Sequence, residues 1–287
     1  MWVRRIWTTA LVVLVAGCGS GTTARLTAPA QQPPVPPSPT EPLPHDAAAL
    51  ASRLTQVSDA LNGSIDSWLA TADPSHRLPP QPLTLQALYV QRAYRQLAHH
   101  RSLAKRTLAQ LPARLRRQAS ESVTALRDLM RLTPPSHRRT FETGQPAPPG
   151  RLLTFYRQAQ RRFHVAWNVL ASVNFVETDF NRIRSSSSAG AQGPMQFMRS
   201  TWREYGLGGN LRDPHDSILG AANYLHRSGA PHSYRRALYS YNPSPLYVDA
   251  VLSYARRMAA DRRAFYGYFA WQVFVRTPSG ERRLTGP

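Results

Sequence analysis

The sequence predicts a mainly α-helical protein that ends in a short β-hairpin. Apolar residues recur at intervals of three and four along residues 48–134 and again along 151–262, which is the spacing of amphipathic helices. Two proline-rich stretches, 18–47 and 135–150, interrupt this pattern. Hydrophobic residues make up 42% of the 287 residues, which excludes a fully disordered chain. The single cysteine excludes a disulfide framework and a multi-cysteine zinc site.

The first residues have the layout of a secretion signal. Arg4 and Arg5 precede the mostly apolar segment 6–15, which is about half as long as the ~20 residues that a membrane-spanning helix needs. Small residues then lead to Cys18, an arrangement that resembles the lipobox of bacterial lipoproteins. The resemblance implies removal of residues 1–17, lipidation of Cys18, and anchorage on the outer face of the cytoplasmic membrane, on the cell-wall side. A plain secretion signal, or an uncleaved anchor with an incidental cysteine, is the alternative.

A tether and a first group of helices are expected to follow. Segment 18–47 is rich in proline and has no hydrophobic period, so we predict an extended tether. The apolar residues of 48–134 predict two or three helices with a break near residues 73–82. The second proline-rich stretch, 135–150, predicts a linker, and we place a domain boundary there. The domain after it is expected to span 151–287.

Glu177 is the first candidate for chemistry. It lies near the end of a helix predicted over about 166–179, four residues after Val173 and seven after Leu170, so it falls on the apolar stripe. Desolvation and the negative end of the helix both disfavour the charged carboxylate, which raises its pKa and suits a general acid. The alternative is a glutamate at the edge of the stripe that reaches water or pairs with a nearby arginine.

Two further motifs lie downstream of Glu177. A run of serine, glycine and alanine leads into Gly193-Pro194-Met195-Gln196, where Pro194 predicts the first turn of a helix that ends at Gly206. The glycines would allow the backbone to approach a ligand closely. Later in the chain, Tyr241 and Asn242 end another helical stretch.

In this order and spacing, the three motifs resemble those of lytic transglycosylases of the goose-lysozyme-like type. The similarity covers about residues 152–260, is especially close over 188–198, and includes Asn223-Tyr224-Leu225 between the second and third motifs. It implies a lysozyme-like helical domain. The chain departs from the family at Thr178, where serine is usual, and at Arg199, where proline is usual. Neither departure removes a group that the chemistry requires.

The resemblance implies cleavage of the MurNAc-β-1,4-GlcNAc bond of peptidoglycan, in cell-wall remodelling, to give 1,6-anhydroMurNAc ends. One glutamate would act as acid and then as base, whereas ordinary glycosidases need two carboxylates. No second catalytic carboxylate is obvious in the sequence: Asp179 would face away from Glu177 on a helix, and Asp213 with Asp216 marks a helix start. Two alternatives stay open, namely a hydrolytic muramidase and an inactive peptidoglycan-binding lipoprotein.

The resemblance also assigns substrate-binding residues. Gln196 and Asn242 would hydrogen-bond sugar groups, Met195 would line the cleft beside the backbone of Gly193, and the Tyr241 hydroxyl would orient Glu177. Ser188 is a further candidate for the same polar network. Core packing is the alternative for Met195 and Tyr241, and a turn is the alternative for Asn242.

The remaining features concern the end of the chain and its partners. Residues 271–284 predict a hairpin, which would cap the domain or extend the cleft. The histidines have no metal-ligand spacing, so we expect no metal and no cofactor. The formal net charge is +20, with 36 Lys+Arg against 16 Asp+Glu. In an exported protein such a surface favours anionic wall polymers or acidic lipids over nucleic acid.

Overall fold

The computed structural model describes residues 35–286, so the predicted signal peptide, Cys18 and the first part of the tether lie outside the described residues. The described residues form eleven helices and one two-stranded antiparallel sheet, which confirms the mainly α class. The elements are α1 (Ala47–Thr71), α2 (Gln81–His99), α3 (Arg101–Gln110), α4 (Ala113–Leu132), α5 (Pro149–Phe163), α6 (Trp167–Thr178), α7 (Arg199–Tyr205), α8 (Pro214–Arg227), α9 (Tyr234–Tyr241), α10 (Pro245–Ala260), α11 (Arg262–Phe269), β1 (Phe274–Thr277) and β2 (Gly280–Arg283).

The first group has four helices, where the sequence predicts two or three. The break between α1 and α2 lies where the sequence places it. The additional division separates α3 from α4, and its cause is Pro112, which holds the preceding Leu111 in extended backbone that cannot continue a helix. The start of α1 is fixed by Asp46, whose carboxylate accepts from the backbone N–H groups of Ala48 and Ala49.

These four helices and the later ones share one hydrophobic core. Helix α4 packs along α10, α10 packs on α6, and α1 contacts both α2 and α11. The residues from 35 to the end form a single compact unit, so the predicted boundary at 135–150 does not separate two bodies. Proline runs predict that a segment is not helical, but they do not predict whether that segment packs on the protein surface or extends away from it.

Both proline-rich stretches lie against the helices where they are described. Arg92 of α2 donates to the carbonyl oxygen of Glu41 at 2.8 Å, and the Glu41 carboxylate pairs with Arg53 of α1 at 2.9 Å. The last part of the predicted tether is therefore docked. In the predicted linker, Thr143 forms an antiparallel bridge with Ile183, and the following helix α5 begins at Pro149.

The C-terminal hairpin is confirmed, and it packs on α2. The sheet pairs Phe274 with Arg283 and Thr277 with Gly280. Arg95 of α2 forms a 2.6 Å ion pair with Glu281 of β2. Among the described residues, none of the helices combines the length and the apolar character that crossing a membrane requires.

Candidate active site

Glu177 is the penultimate residue of α6, at the point where the chain turns sharply. The three residues that follow the helix, Asp179, Phe180 and Asn181, all have left-handed backbone, with φ of 50°, 60° and 70°. Such a run without glycine is costly, and the surrounding packing maintains it. Phe180 is fully buried and stacks on Phe175 of α6, so the turn is held from inside the core.

The carboxyl group of Glu177 is partly buried and has one hydrogen-bond partner among the described side chains. The hydroxyl of Tyr247, in the first turn of α10, donates to Glu177 Oε1 at 2.7 Å. Burial raises the pKa of Glu177 from 4.5 to about 7, and the bond from Tyr247 opposes this by favouring the charged form. A carboxyl with a pKa near neutrality suits a residue that gives and then takes a proton.

The segment predicted as a helix start at Pro194 is instead a tight turn. Gln192 and Phe197 pair as an antiparallel bridge around it, and α7 begins only at Arg199, although it ends at Tyr205 with the predicted Gly206 as its cap. Gly193 has φ of 76°, and a Cβ at this position would collide with the carbonyl oxygen of Leu211. Glycine is required here because the chain itself approaches closely.

Two buried side chains of α6 attach this turn to the helix of Glu177. The Thr178 hydroxyl donates to the Pro194 carbonyl oxygen at 2.7 Å, and the Asn174 amide donates to the same oxygen at 2.8 Å. The Thr178 oxygen also accepts from the backbone N–H of Asn181 at 2.9 Å. Thr178 is fully buried, so its departure from the usual serine affects this connection and not a contact with solvent.

Tyr241 and Met195 differ from the roles that the resemblance assigns. The Tyr241 hydroxyl donates to the Met195 carbonyl oxygen at 2.5 Å, and it is Tyr247 that contacts Glu177. The rings of Tyr241 and Tyr247 lie parallel with centroids 6.5 Å apart, so Tyr241 lies beside the tyrosine that is bonded to Glu177. The Met195 side chain is 0% exposed and packs in the core, whereas Met198 is 43% exposed at the end of the same turn.

The other predicted binding residues lie around the turn and at the end of α9. Gln196 has left-handed backbone, with φ of 49°, and its side-chain amide donates to the Gly193 carbonyl oxygen at 3.1 Å. Asn242 caps the end of α9 and is partly exposed. Ser188 is exposed in the loop before the turn, and the hydroxyl that orders this loop is that of Ser187, which accepts from the backbone N–H of Ala191 at 3.0 Å.

Comparison with known proteins identifies the part of the chain that carries this geometry. Residues 154–263 match a family model, which is described as the transglycosylase SLT domain. These residues form a transglycosylase SLT domain. The predicted lytic transglycosylase-type catalytic domain and its helical, lysozyme-like class are thereby confirmed, and this type of domain acts on peptidoglycan. No curated protein and no solved structure matches the chain.

Sequence reasoning missed two polar contributors to the SLT domain's site. Tyr247 comes from the start of α10, and only the fold brings it to Glu177, 70 residues earlier. Asn174 has a local signal, because it is a buried amide one turn before Thr178 in an otherwise apolar helix. Its oxygen accepts from the Tyr156 hydroxyl at 2.6 Å, so its hydrogen-bonding groups serve α5, α6 and the turn at Pro194 together.

Asp179 is the second carboxyl of the SLT domain with a strongly raised pKa. Burial raises the pKa of Asp179 from 3.8 to about 7, and the positive charges of Arg182 and Arg95 oppose this. Arg182 is itself buried, which lowers its pKa to about 10, and it donates to the carbonyl oxygens of Asp179 and Phe269. Asp179 thus faces the arginines of α2 and of its own turn, whereas Glu177 faces α10.

In the described residues, three neighbouring groups at the start of α8, Asp213, His215 and Asp216, have the spacing of possible metal ligands. The carboxylate oxygens of Asp213 and Asp216 already accept hydrogen bonds from backbone N–H groups. Asp213 accepts from the N–H groups of His215 and Asp216 as the predicted N-cap, and Asp216 accepts from the N–H of Asn210 at 2.9 Å. The cluster is explained as the start of a helix.

Proposed function

We propose that the protein is a peptidoglycan lytic transglycosylase that acts in cell-wall remodelling. It cleaves the MurNAc-β-1,4-GlcNAc bond without water and leaves 1,6-anhydroMurNAc ends, with Glu177 as the acid and then the base. The observation that carries the proposal is the Glu177 carboxyl, which has a pKa of about 7, is held by Tyr247, and lies in a matched SLT domain.

The mechanism uses one carboxyl group twice. Protonated Glu177 gives its proton to the glycosidic oxygen, and the bond from this oxygen to C1 of MurNAc breaks as GlcNAc leaves. The Glu177 carboxylate then takes the proton of the MurNAc C6 hydroxyl while that oxygen forms a bond to C1. The carboxyl is restored, and no water is consumed. The Tyr247 hydroxyl holds the carboxyl through both steps and stabilises its charged form between them.

The surroundings of the other carboxylates support a mechanism with one carboxyl group. Hydrolysis by a glycosidase normally uses a pair of carboxyl groups, one of which activates a water or attacks the sugar. Most acidic side chains of the SLT domain are already engaged: Asp213 and Asp216 serve the start of α8, Asp249 pairs with Arg235 at 2.7 Å, and Asp261 caps α11 and pairs with Arg114 at 2.8 Å.

Export and anchorage complete the proposal. Cys18 and residues 1–17 lie outside the described residues, and their sequence favours lipidation of Cys18 and a position on the outer face of the cytoplasmic membrane. A lipidated protein on the outer face of the membrane lies next to peptidoglycan, its proposed substrate. The positive charge of the protein favours additional contact with anionic wall polymers or lipids.

Mass spectrometry of the products tests the function directly. Purified peptidoglycan is incubated with the protein and with Glu177→Gln, and the released muropeptides are weighed. We expect anhydro-muropeptides, each lighter than its hydrolysed counterpart by one water, from the wild type alone. Reducing-end products would identify a hydrolytic muramidase. Binding to peptidoglycan with no released product from the wild type would identify an inactive wall-binding protein.

A further inference from the structure

A cleft adjoins the turn at Gly193 and Pro194 and also contacts Glu142, which lies in the segment 135–150 that the sequence predicts as a linker. Its volume is about 270 Å³, and its lining includes Glu142, Asn181, Arg184, Gln192, Gly193 and Arg212. Glu142 belongs to a segment, 142–144, that pairs with 182–184: the Arg184 N–H donates to the Glu142 carbonyl oxygen and the Gly144 N–H to the Arg182 carbonyl oxygen, both at 2.9 Å. One residue outside the SLT domain, Glu142, therefore lines the cleft.

The deepest polar group of the cleft lacks a partner in the described part of the chain. Asn181 is 3% exposed, and its side-chain nitrogen is buried without a hydrogen bond. Buried amide groups are almost always paired, because an unpaired one loses its hydration without compensation. The terminal torsion of asparagine is soft, so the amide can turn its nitrogen towards an acceptor placed in the cleft. Asn181 lies in the turn that follows α6, four residues after Glu177, so the cleft adjoins the end of the helix that carries this glutamate.

The charged groups of the cleft are also available. Arg212 and Glu142 are exposed, and within residues 35–286 neither side chain forms an ion pair. Arg184 uses one end of its guanidinium on the Gln145 carbonyl oxygen at 2.8 Å. The cleft thus offers two cationic groups, one anionic group and the side-chain amides of Asn181 and Gln192. Neutral sugar hydroxyls do not need such a set, whereas a peptide with carboxylate, amide and ammonium groups matches it.

We propose that this cleft binds the peptide stem carried by the MurNAc residue, with Arg212 on a stem carboxylate, Asn181 on a stem carbonyl and Glu142 on an ammonium group. The inference rests on the proposed function, since it takes the glycan strand to pass Glu177. It makes Glu142 a determinant of which strands are cleaved. The cleft distinguishes strands that carry peptide from strands that have been stripped of it.

The test compares two substrates. Arg212→Gln and Glu142→Gln are assayed on glycan strands with intact stems and on strands from which an amidase has removed the stems. We expect each variant to lower kcat/KM about tenfold on strands with stems and by less than about twofold on stripped strands. The control is Arg157→Gln, which removes an exposed arginine of α5 that is not part of the cleft lining and is expected to change neither value.

The possible outcomes separate the cleft from the chemistry. An equal loss on both substrates would assign the cleft to the sugar chain or to the lactyl carboxylate that stripped strands retain, and would overturn the proposal. Unchanged rates for both variants would do the same. If the wild type cleaves neither substrate, the proposed reaction fails, and titration with the free stem peptide, followed by NMR, decides the cleft. Weaker binding by Arg212→Gln than by the wild type then supports the proposal, and equal or absent binding refutes it.

Discussion

Glu177→Gln removes the titrating group of the site while it keeps the size of the side chain. Besides the loss of cleavage that the proposed function leads us to expect, this change has a consequence for stability that follows from the pKa alone. The Glu177 carboxyl has a pKa of about 7 in the folded protein and 4.5 as its ordinary value. A group with a raised pKa binds protons more tightly in the folded state, so it stabilises that state at low pH. Its contribution is fully present below about pH 4.5 and is lost as the pH rises through about 7.

The size of this effect can be estimated. Each pH unit between the two pKa values is worth about 1.4 kcal/mol, which gives about 3 kcal/mol for Glu177 as an upper value. Because the side chain is only partly buried, solvent reduces this to about 1–3 kcal/mol. Glutamine does not titrate. The free energy of unfolding of the variant, relative to that of the wild type, should therefore increase by this amount between pH 4 and about pH 8.5.

Urea denaturation of both proteins at several pH values measures the difference. Asp179 has a similarly raised pKa and weakens the folded state over the same range, but it is present in both proteins and cancels. The matched control Asp179→Asn should move the pH dependence of stability in the same direction, although it leaves the Glu177 carboxyl in place. A gap between Glu177→Gln and the wild type that stays constant from pH 4 to 8.5 would refute a raised pKa at Glu177. Retained cleavage by Glu177→Gln, where we expect a loss of at least about a hundredfold, would refute its role as the acid.

Three other changes test the parts around the acid. Tyr247→Phe removes the bond that favours the charged form of Glu177, so the decline of activity at alkaline pH should shift upward by about one pH unit, and a pH–rate profile measures this. Gly193→Ala should cost more than about 2 kcal/mol of stability because of its positive φ and the collision across the loop. The control Gly190→Ala, at φ of 87° in open space, should cost about 1 kcal/mol in the same thermal unfolding assay. Thr178→Val should destabilise by about 1–3 kcal/mol while Thr178→Ser stays near the wild type, and equal effects of the two would contradict the role of the hydroxyl.

The sequence predicts those parts of the site that depend only on residues close together in the chain. Glu177 on the apolar stripe and the Asp213 cap both follow from periods and capping rules, and the structure places them accordingly. The glycine at 193 is also marked as a position of close approach, and the structure shows that one close neighbour is the Leu211 carbonyl of the chain itself. A pattern identifies a position where only glycine fits, and it does not identify the neighbour.

The errors concern side chains whose surroundings depend on the fold. Tyr241 and Tyr247 are both aromatic residues near the α9–α10 junction, and nothing in their spacing states which hydroxyl reaches Glu177. Met195 and Met198 are three residues apart, which on a helix would place them on one face, yet the turn at Pro194 sends one into the core and the other to solvent. A proline that can begin a helix can also occupy a tight turn, and here the Gln192–Phe197 bridge selects the turn.

Helix α4, the last of the first four helices, is connected to Glu177 through α10. Tyr247 reaches Glu177 from the start of this helix, and α10 lies between α6 and α4. On the α4 side, Ser122 and Tyr268 share a 2.9 Å hydrogen bond, which joins α4 to α11. The bond from Tyr247 is short and favours one ionisation state, so a displacement of α10 by one ångström would change both the orientation and the pKa of the acid. Of the helices before residue 135, α4 therefore packs on α10, the helix that carries the hydroxyl bonded to Glu177.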